Sequence, residues 1–398
     1  MKIFVVGAGM GGEGCLTQRA REVIAGADIV LASKRLRGPL AGLNPNCVCL
    51  ELHEILPFLS GAKQDNIAVA VSGDVGFYSF ARTLKERIAG DIEFIPGVSS
   101  MQYLAAKLGM PYDDAVAASV HGRDTNIIPY VCYNRKVFAL TGGAQGAREV
   151  ISRLNARGLG FVSVHVGENL SYADERVTSG AAGSLEGAEF SGNSVMFIIN
   201  ENFVNSYESI PDGDFIRDSD SIKIPMTKQA VRALALAKLS IAPGDSVADI
   251  GAGTGAMAVE MARRANKAAV YAVERDAGAI RLIRQNIVKH GAYNIEIITG
   301  CAPDCMKSLP RADKAFIGGS SGFLREIMAA LLENNGAARI AATAVTLETL
   351  NAALAAFREF GLEYGVTCVN AANAAAAGGY HLMKAENPVY IIAGERKP

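Results

Sequence analysis

The stretch VADIGAGTG at residues 247–255 decides the fold of the second half of this chain. A short apolar run that opens into alternating glycines is typical of a buried parallel strand, a tight turn and a helix whose N-terminus faces a ligand. The next apolar run, at residues 269–273, ends in Glu274, where an acid can accept both hydroxyls of a ribose. These features predict a nucleotide-type pocket in a Rossmann-like α/β domain.

Two classes of ligand use this geometry. A dinucleotide fingerprint has a third glycine three residues after the second. In this chain that position is Ala256, and the fingerprint also tolerates alanine there. Asp249, directly before the loop, favours a cationic ligand over a pyrophosphate, and S-adenosylmethionine carries an ammonium and a sulfonium. The pattern resembles a class I methyltransferase, and a nicotinamide dinucleotide is the alternative that the residues leave open.

A second glycine loop, GAGMGG at residues 7–12, follows the apolar run at the start of the chain. Its GxGxxG form suggests a dinucleotide, but the next strand, at residues 28–31, begins with its acid instead of ending in one. Three further motifs follow it in order: SGDVGF at residues 72–77, IPGVSSMQ at residues 95–102 and SVHGR at residues 119–123.

That ordered set resembles the tetrapyrrole methylase family, in the branch that methylates precorrins on the route to cobalamin. The second half resembles the class I partner of that family, so the resemblance covers nearly the whole chain. It implies an α/β protein with an N-terminal two-lobed tetrapyrrole methylase fold and a C-terminal class I Rossmann-like methyltransferase fold. It also implies S-adenosylmethionine as the cofactor of both halves and a precorrin as the substrate. The first half would methylate C5, and the second would methylate C15 and decarboxylate the ring C acetate.

The resemblance and the two glycine loops together indicate which residues contact the cofactor. In the first half these are Gly9, Ser72, Gly73, Asp74, Phe77, Ser99, Ser100, Leu140 and Thr141. In the second half they are Thr227, Asp249, Gly251, Ala252, Gly253, Thr254, Gly255, Glu274, Cys301 and Ala302. Candidates for substrate contact are His121, Arg123, Ser320, Ser321 and His381. Arginine is favoured there because its planar fork pairs with the carboxylates of a precorrin.

Two departures from the family concern loops and charge. Met10 and Val75 stand where the family commonly has proline. The alanine-rich segment at residues 370–379 stands where relatives tend to be basic, so Arg325, His381 or Lys384 would have to supply positive charge to the substrate. The decarboxylation step has no residue assigned to it.

Composition limits the remaining classes of function. The 398 residues predict two domains, placed at residues 1–205 and 206–398 because a polar, turn-forming segment follows residue 205. With 39 basic and 40 acidic residues, the chain lacks the positive field that would hold nucleic acid. No apolar run reaches about 18 residues and no cleavable signal is visible, so we expect a cytoplasmic protein without a membrane partner.

The seven cysteines are scattered without CxxC spacing, which predicts buried thiols and no metal site. We expect a homo-oligomer. Two alternatives to a methyltransferase stay open at this point, a two-domain NAD(P)-dependent oxidoreductase and a binding protein that senses S-adenosylmethionine.

At the level of single elements, apolar periodicity predicts helices at residues 17–25 and 77–88, and Thr227 is predicted to cap a helix at residues 228–239.

Overall fold

A computed structural model describes residues 1–88, 90–121, 125–142, 146–205, 208–217 and 224–397. The chain forms two compact units, the first made of Met1–Thr125 and Lys136–Ile199, the second of Asn126–Arg135 and Asn200–Pro398. The predicted domain boundary at residue 205 stays a prediction. No helix in the described ranges is long and apolar enough to span a bilayer.

The first lobe of the first unit is a parallel sheet with helices packed on it, in the order β3-β2-β4-β1-β5. Its strands are β1 (Lys2–Gly7), β2 (Ile29–Ala32), β3 (Cys47–Cys49), β4 (Asn66–Val71) and β5 (Asp91–Ile95). Its helices are α1 (Gln18–Gly26), α2 (Lys34–Ala41), α3 (Leu52–Gly61), α4 (Ala81–Arg87) and α5 (Ser100–Lys107). The central strands β1 and β4 are buried along almost their whole length, which their continuous apolar sequences require.

Two predicted helices of this lobe can be compared with the structure. The helix expected at residues 17–25 is present as α1, and the Thr17 hydroxyl accepts a hydrogen bond from the Ala20 N–H at 3.2 Å. The helix expected at residues 77–88 begins only at Ala81. Tyr78 has a φ of 49°, a left-handed conformation that an α-helix cannot contain, so the apolar periodicity overestimated this helix.

The second lobe is a mixed sheet in the order β6-β7-β10-β8-β9. Its strands are β6 (Val116–Ser119), β7 (Lys136–Leu140), β8 (Ser163–Glu168), β9 (Arg176–Ala181) and β10 (Ser194–Ile199), and α7 (Ala147–Ala156) belongs with them. Only the pairing of β6 with β7 is parallel. This lobe is therefore mostly antiparallel, in contrast to the parallel sheet of the first lobe.

The second unit is a seven-stranded sheet in the order β13-β12-β11-β14-β15-β19-β16, with β19 antiparallel to both neighbours. Its strands are β11 (Val247–Ile250), β12 (Val270–Glu274), β13 (Ile295–Thr299), β14 (Lys314–Ile317), β15 (Arg339–Ala344), β16 (Glu363–Val369) and β19 (Val389–Glu395). Strands β17 (Ala372–Ala377) and β18 (Tyr380–Ala385) form a separate hairpin. The helices are α6 (Ile127–Tyr133), α8 (Gln229–Leu239), α9 (Ala256–Arg264), α10 (Ala277–His290), α11 (Leu324–Asn334) and α12 (Leu347–Glu359).

Helix α8 begins differently from the prediction. Lys228 occupies the capping position without a side-chain hydrogen bond, and the Gln229 N–H donates to Asp212 Oδ1 at 2.9 Å. The prediction that Thr227 caps this helix is wrong. Only the Thr227 carbonyl takes part, accepting a hydrogen bond at 2.6 Å from the fully buried Arg232, whose Nε also donates to Glu260 at 2.8 Å.

Candidate cofactor sites

A cavity of about 360 Å³ lies at the carboxyl edge of the parallel sheet in the first unit. Parallel strands end at one edge, so the loops after β1, β2, β4 and β5 converge there, and the second lobe closes the other side. The lining residues are Met10, Arg35, Ser72, Gly73, Phe77, Tyr78, Ser99, Ser100, Ser119, His121, Leu140, Thr141, Gly192, Asn193, Ser194 and Val195. Most cofactor contacts predicted for this half are therefore brought together around one cavity. Gly9 and Asp74 do not line it.

Next to Gly73, which lines this cavity, the main chains of three loops pack together without side chains between them. Gly9 and Gly73 exchange hydrogen bonds, N–H to O, at 3.2 and 2.6 Å. A Cβ on Gly97 would lie 2.5 Å from the carbonyl oxygens of both Gly7 and Gly73, closer than real atoms approach. Three loop backbones can therefore meet only because these positions are glycine.

Asp74 holds this arrangement together. Its Oδ1 accepts a hydrogen bond from the Gly97 N–H at 3.0 Å, and its Oδ2 accepts one from the Gly76 N–H at 2.8 Å. Both carboxylate oxygens are thus bound to neighbouring main chain. The geometry gives Asp74 a loop-positioning role, and direct contact with a cofactor stays a prediction.

Ser99 and Thr141 are buried residues that line the cavity from opposite lobes. Ser99 caps α5: its hydroxyl accepts from the Gln102 N–H at 3.2 Å, while Gln102 Oε1 accepts from the Ser99 N–H at 2.9 Å. The Thr141 hydroxyl donates to the Ser194 carbonyl at 2.6 Å. Ser99 therefore keeps its hydroxyl proton for a ligand, whereas Thr141 can only accept.

Among the described residues that line this cavity, the formal charge is positive and comes from Arg35. No aspartate or glutamate is among the lining residues that the structure describes, whereas Arg35 and His121 are. His121 is exposed, with its ring against Gly142, where a Cβ would lie 2.1 Å from Nδ1. Arg123, the other predicted substrate contact, lies outside the described residues. Arg35 was missed by the sequence analysis, although a basic residue just past the carboxyl end of a parallel strand was a usable signal.

A second cavity, of about 280 Å³, lies at the carboxyl edge of the sheet in the second unit. Its lining residues are Pro225, Gly251, Gly253, Val273, Glu274, Arg275, Asp276, Gly300, Cys301, Ala302, Gly318, Gly319, Ser320 and Ser321. Seven predicted residues are among them: Gly251, Gly253, Glu274, Cys301, Ala302, Ser320 and Ser321. The other predicted cofactor contacts of this half, Thr227, Asp249, Ala252, Thr254 and Gly255, do not line it.

Gly253 sits at the narrowest point of this glycine loop. Its φ is 56°, and a Cβ there would lie 2.4 Å from the carbonyl oxygen of Pro225. Both the backbone conformation and the lack of space therefore require glycine. The loop leads through Gly255 into the N-terminus of α9, the end of a helix that favours negative groups of a ligand.

Glu274, at the end of β12, holds the same loop. Its Oε2 accepts a hydrogen bond from the Gly253 N–H at 2.8 Å, and its Oε1 accepts from the N–H groups of Arg275 and Asp276 at 2.8 and 2.9 Å. The carboxylate is therefore fixed in place before any ligand arrives. Because Oε2 receives only one of these hydrogen bonds, it can also accept one from a ribose hydroxyl.

Asp249, on β11 beneath the loop, is almost completely buried, and neither of its carboxylate oxygens has a hydrogen-bond partner among the described residues. Burial, with a smaller contribution from the negative charge of Glu274, raises the pKa of this carboxyl from 3.8 to about 7. The Thr254 hydroxyl is buried and unpartnered in the same part of the structure. Unsatisfied acceptors of this kind fit a ligand that brings a cationic group, as S-adenosylmethionine does.

The basic residues expected to replace the missing charges of the alanine-rich segment are not among the residues that line this cavity. His381 and Lys384 lie on the exposed strand β18. Arg325 is occupied by Glu359, with Nε 2.9 Å from Oε2, an ion pair that raises the pKa of the guanidinium further. Ser320 and Ser321 remain the predicted substrate contacts that the structure places at the cavity.

Comparison with known proteins assigns each half to a family. Residues 2–186 match the model of the tetrapyrrole (corrin/porphyrin) methylases, and residues 220–396 match the precorrin methyltransferase domain. A probable cobalt-precorrin-6B C(15)-methyltransferase (decarboxylating) of Pyrobaculum calidifontis is 41% identical over 185 residues, which are 46% of this chain and 93% of that protein.

Two further similarities concern proteins named for both carbons. A precorrin-6Y C(5,15)-methyltransferase [decarboxylating] of a Sinorhizobium species is 29% identical over 362 residues, 87% of this chain and 85% of that protein. The crystal structure of a precorrin-6Y C5,15-methyltransferase from Geobacter metallireducens shares 33% identity and a TM-score of 0.45, covering 48% of this chain and 98% of that one.

The two family matches confirm the predicted fold class, with a tetrapyrrole methylase fold followed by a class I methyltransferase fold. They give no support to a nicotinamide-dependent oxidoreductase or to a protein that only senses its cofactor. The chain belongs to the family of precorrin-6Y C5,15-methyltransferases (decarboxylating), enzymes of cobalamin biosynthesis that use S-adenosylmethionine as their methyl donor.

Proposed function

We propose that this enzyme methylates one precorrin substrate twice, at C5 in the first unit and at C15 in the second, and removes the ring C acetate carboxyl as carbon dioxide in the second. The observation that carries the proposal is the presence of two separate cavities, each lined mainly by residues of one of the two regions that match a methyltransferase family. Each cavity has its own glycine-lined floor and its own polar groups.

The assignment of decarboxylation to the second unit is supported by the lengths of the relatives. The Pyrobaculum protein is named for C15 methylation and decarboxylation, yet its match spans only 46% of this chain. One half therefore suffices for those two steps in a relative. Because residues 220–396 match the precorrin methyltransferase domain, we assign both steps to the second unit.

S-adenosylmethionine supplies an electrophilic methyl group on a sulfonium. The chain's own contribution is to bind and orient the reactants, since a reduced tetrapyrrole offers electron-rich carbons that need little acid or base help. In the second unit Glu274 would hold the ribose and Asp249 would balance positive charge, while Gly253 lets the main chain approach closely. In the first unit the main chain around Gly73 and the hydroxyl of Ser99 would do this binding.

Variants of the full-length chain test the division of labour. Gly253→Arg fills the second cavity and Gly73→Arg fills the first, and each is incubated with a precorrin-6Y-type substrate and S-adenosylmethionine. Mass spectrometry counts methyl groups and released carbon dioxide. We expect Gly73→Arg to release carbon dioxide and add one methyl group, and Gly253→Arg to release none. Carbon dioxide release by Gly253→Arg would contradict the assignment.

Full-length variants are preferable to a cut at residue 205. The second unit includes α6, whose Tyr133 hydroxyl donates to Asn294 Oδ1 at 2.9 Å, and the Val204 N–H donates to the Cys132 carbonyl at 2.9 Å. A chain that starts near residue 206 would lose both hydrogen bonds. Failure of such a fragment to fold would therefore say nothing about its chemistry.

Calorimetry with S-adenosylhomocysteine tests the number of cofactor sites. We expect two sites per chain, of which each arginine variant removes a different one. NADH is the matched negative ligand for the nicotinamide alternative. A single site in the unaltered chain, or binding of NADH at micromolar concentration, would contradict the proposal.

We also propose that the enzyme is a homo-oligomer that covers the hairpin of β17 and β18. Every residue of both strands is exposed, including the large apolar side chains of Tyr380, Leu382 and Met383. Apolar side chains on strands with open edges are typical of surfaces that pair with another chain. Sedimentation should show that Leu382→Glu lowers the molecular mass, whereas Val288→Glu, at an exposed position on α10, leaves it unchanged. A monomeric unaltered chain would contradict this proposal.

The cytoplasmic location stays a prediction.

A further inference from the structure

We infer that Arg35 binds a carboxylate of the tetrapyrrole substrate in the first unit and so determines how that substrate is positioned. The inference rests on the proposed function, because that function makes a precorrin, which is a polycarboxylate, the substrate. It adds a residue that neither the family motifs nor the sequence patterns indicated.

The position of Arg35 follows from the local fold. Strand β2 ends at Ala32, and α2 begins two residues later at Lys34, so Arg35 lies in the first turn of α2 at the carboxyl edge of the sheet. This is the edge at which parallel α/β sheets bind their ligands. The Arg35 side chain lines the cavity from this edge.

Two neutral groups hold the guanidinium in place. Its Nη1 donates to Asn193 Oδ1 at 2.5 Å, and its Nη2 donates to the Ser72 hydroxyl. Ser72 follows β4 in the first lobe and Asn193 precedes β10 in the second, so the two hydrogen bonds fix the guanidinium from two sides. A guanidinium has five N–H donors, and these contacts use two of them. The remaining donors are available to a ligand.

The positive charge of Arg35 is not balanced by any acid in the described part of the chain. Arg35 takes part in no ion pair there, and no carboxylate is among the described residues that line its cavity. Some other arginines of the same unit are paired, as Arg176 is with Glu168 and Arg148 is with Glu189. Serine and asparagine orient a guanidinium without neutralising it. A carboxylate from the substrate would supply both the missing charge and a bidentate acceptor.

Arg37 provides a matched control on the same helix. It is exposed like Arg35, but its Nε donates to the Cys47 carbonyl at 3.4 Å and it does not line the cavity. Loss of either charge changes the net charge of the protein equally. Only loss of Arg35 removes a charge from the cavity.

The test is equilibrium binding of a precorrin-6Y-type substrate to full-length Arg35→Gln, Arg35→Lys and Arg37→Gln, measured by calorimetry at low and high salt. Loss of a charged hydrogen-bond partner should weaken binding about ten- to a hundredfold in Arg35→Gln. Arg35→Lys should recover part of this loss, because it keeps the charge without the planar fork. Arg37→Gln should bind as the unaltered chain does. The salt dependence of binding should be smaller in Arg35→Gln than in the unaltered chain.

Titration of the same variants with S-adenosylhomocysteine separates a substrate role from a cofactor role. We expect two sites with unchanged affinities in Arg35→Gln. A fall in S-adenosylhomocysteine affinity with unchanged precorrin binding would place Arg35 in the cofactor site and overturn the inference, as would equal precorrin binding by Arg35→Gln and the unaltered chain. If the unaltered chain binds the precorrin through Arg35 but transfers no methyl group, the proposed function fails and the inference stands.

Discussion

The two cavities of this enzyme differ most in the sign of their charge. The first is lined by Arg35 and His121 and, among described residues, by no acid. The second is lined by Glu274, Arg275 and Asp276. Both belong to halves of the chain that match methyltransferase families.

From this difference we expect the one cofactor to be bound in two physically distinct ways. In the first unit we expect main-chain groups of the glycine loops to bind the cofactor, with the charge of Arg35 left for an anionic partner. In the second unit we expect Glu274, which holds the Gly253 loop, and the buried Asp249 to contribute carboxylates. The two sites should therefore respond differently to substitution, pH and salt, and four experiments test this contrast in order of decreasing effect.

The largest effect should come from Gly253→Ala, compared with Gly73→Ala in the first unit. Both glycines have positive φ, 56° and 74°, so each alanine costs about 1–2 kcal/mol of backbone strain. Only at Gly253 does the Cβ also overlap with a carbonyl oxygen, that of Pro225, which adds about 1–3 kcal/mol. Calorimetry should show the second S-adenosylhomocysteine site weakened roughly a hundredfold or more and the first far less. Equal losses in the two variants would remove the contrast.

The next effect concerns Glu274→Ala. Removing a carboxylate that braces the Gly253 loop and accepts from the ribose should cost about 1.5–3 kcal/mol of binding free energy. The second site should therefore weaken about ten- to a hundredfold, while the first site keeps its affinity. Ser99→Ala is the counterpart in the first unit. Unchanged affinity at the second site in Glu274→Ala would show that the ribose lies elsewhere.

The third effect is a dependence of stability on pH. The pKa of Asp249 is raised by burial from its ordinary value near 3.8 to about 7, so the folded chain binds this proton more tightly than the unfolded chain does. Binding of this proton stabilises the folded chain fully below about pH 4, and the stabilisation is lost as the pH rises through 7. Asp249→Asn should remove this loss, so it should raise the Tm by a few degrees at pH 8 and by clearly less at pH 5, where only part of the loss has accumulated.

Scanning calorimetry of the ligand-free protein measures that difference. The relevant unfolding transition is the one that Gly253→Ala also shifts. An identical pH profile for Asp249→Asn and the unaltered chain would mean that Asp249 is ionised and partnered in the folded state.

The smallest effect should come from Thr227→Ala. Its side chain caps no helix, so the free energy of unfolding should change by less than about 0.5 kcal/mol. Asp212→Asn should cost more, because Asp212 accepts from both the Gln229 N–H and the buried Arg232. A large loss of S-adenosylhomocysteine affinity in Thr227→Ala would instead support its predicted contact with the cofactor.

Sequence reasoning predicted the parts of this enzyme that depend on main chain and pattern. Buried strands that open into glycine loops were visible at residues 2–12 and 247–255, and both loops lie where predicted, at the edges of parallel sheets. The helix at α1 was predictable because Thr17 supplies a local cap. These features are set by short segments that carry their own physical signal.

The remaining features depend on residues far apart in the chain. The cap of α8 is completed by Asp212, 17 residues before Gln229, so a local pattern pointed to Thr227 instead. Arg35 was missed because its meaning lies in Ser72 and Asn193, which only the folded sheet brings to it. The Asp74 carboxylate was expected to contact the ligand, and no local pattern showed that it would accept a hydrogen bond from the Gly97 N–H.

The crossing of main chain at Gly7, Gly73 and Gly97 has a consequence for how this family can diverge. A Cβ on Gly97 would meet two carbonyl oxygens at 2.5 Å, and a Cβ on Gly7 would lie 2.6 Å from the Gly97 nitrogen, so neither position can change alone. Substrate preference can drift through the side chains around the rim of the cavity, but not through these glycine positions. In an alignment of diverse relatives, they should stay fixed after recognisable identity elsewhere in the first unit has disappeared.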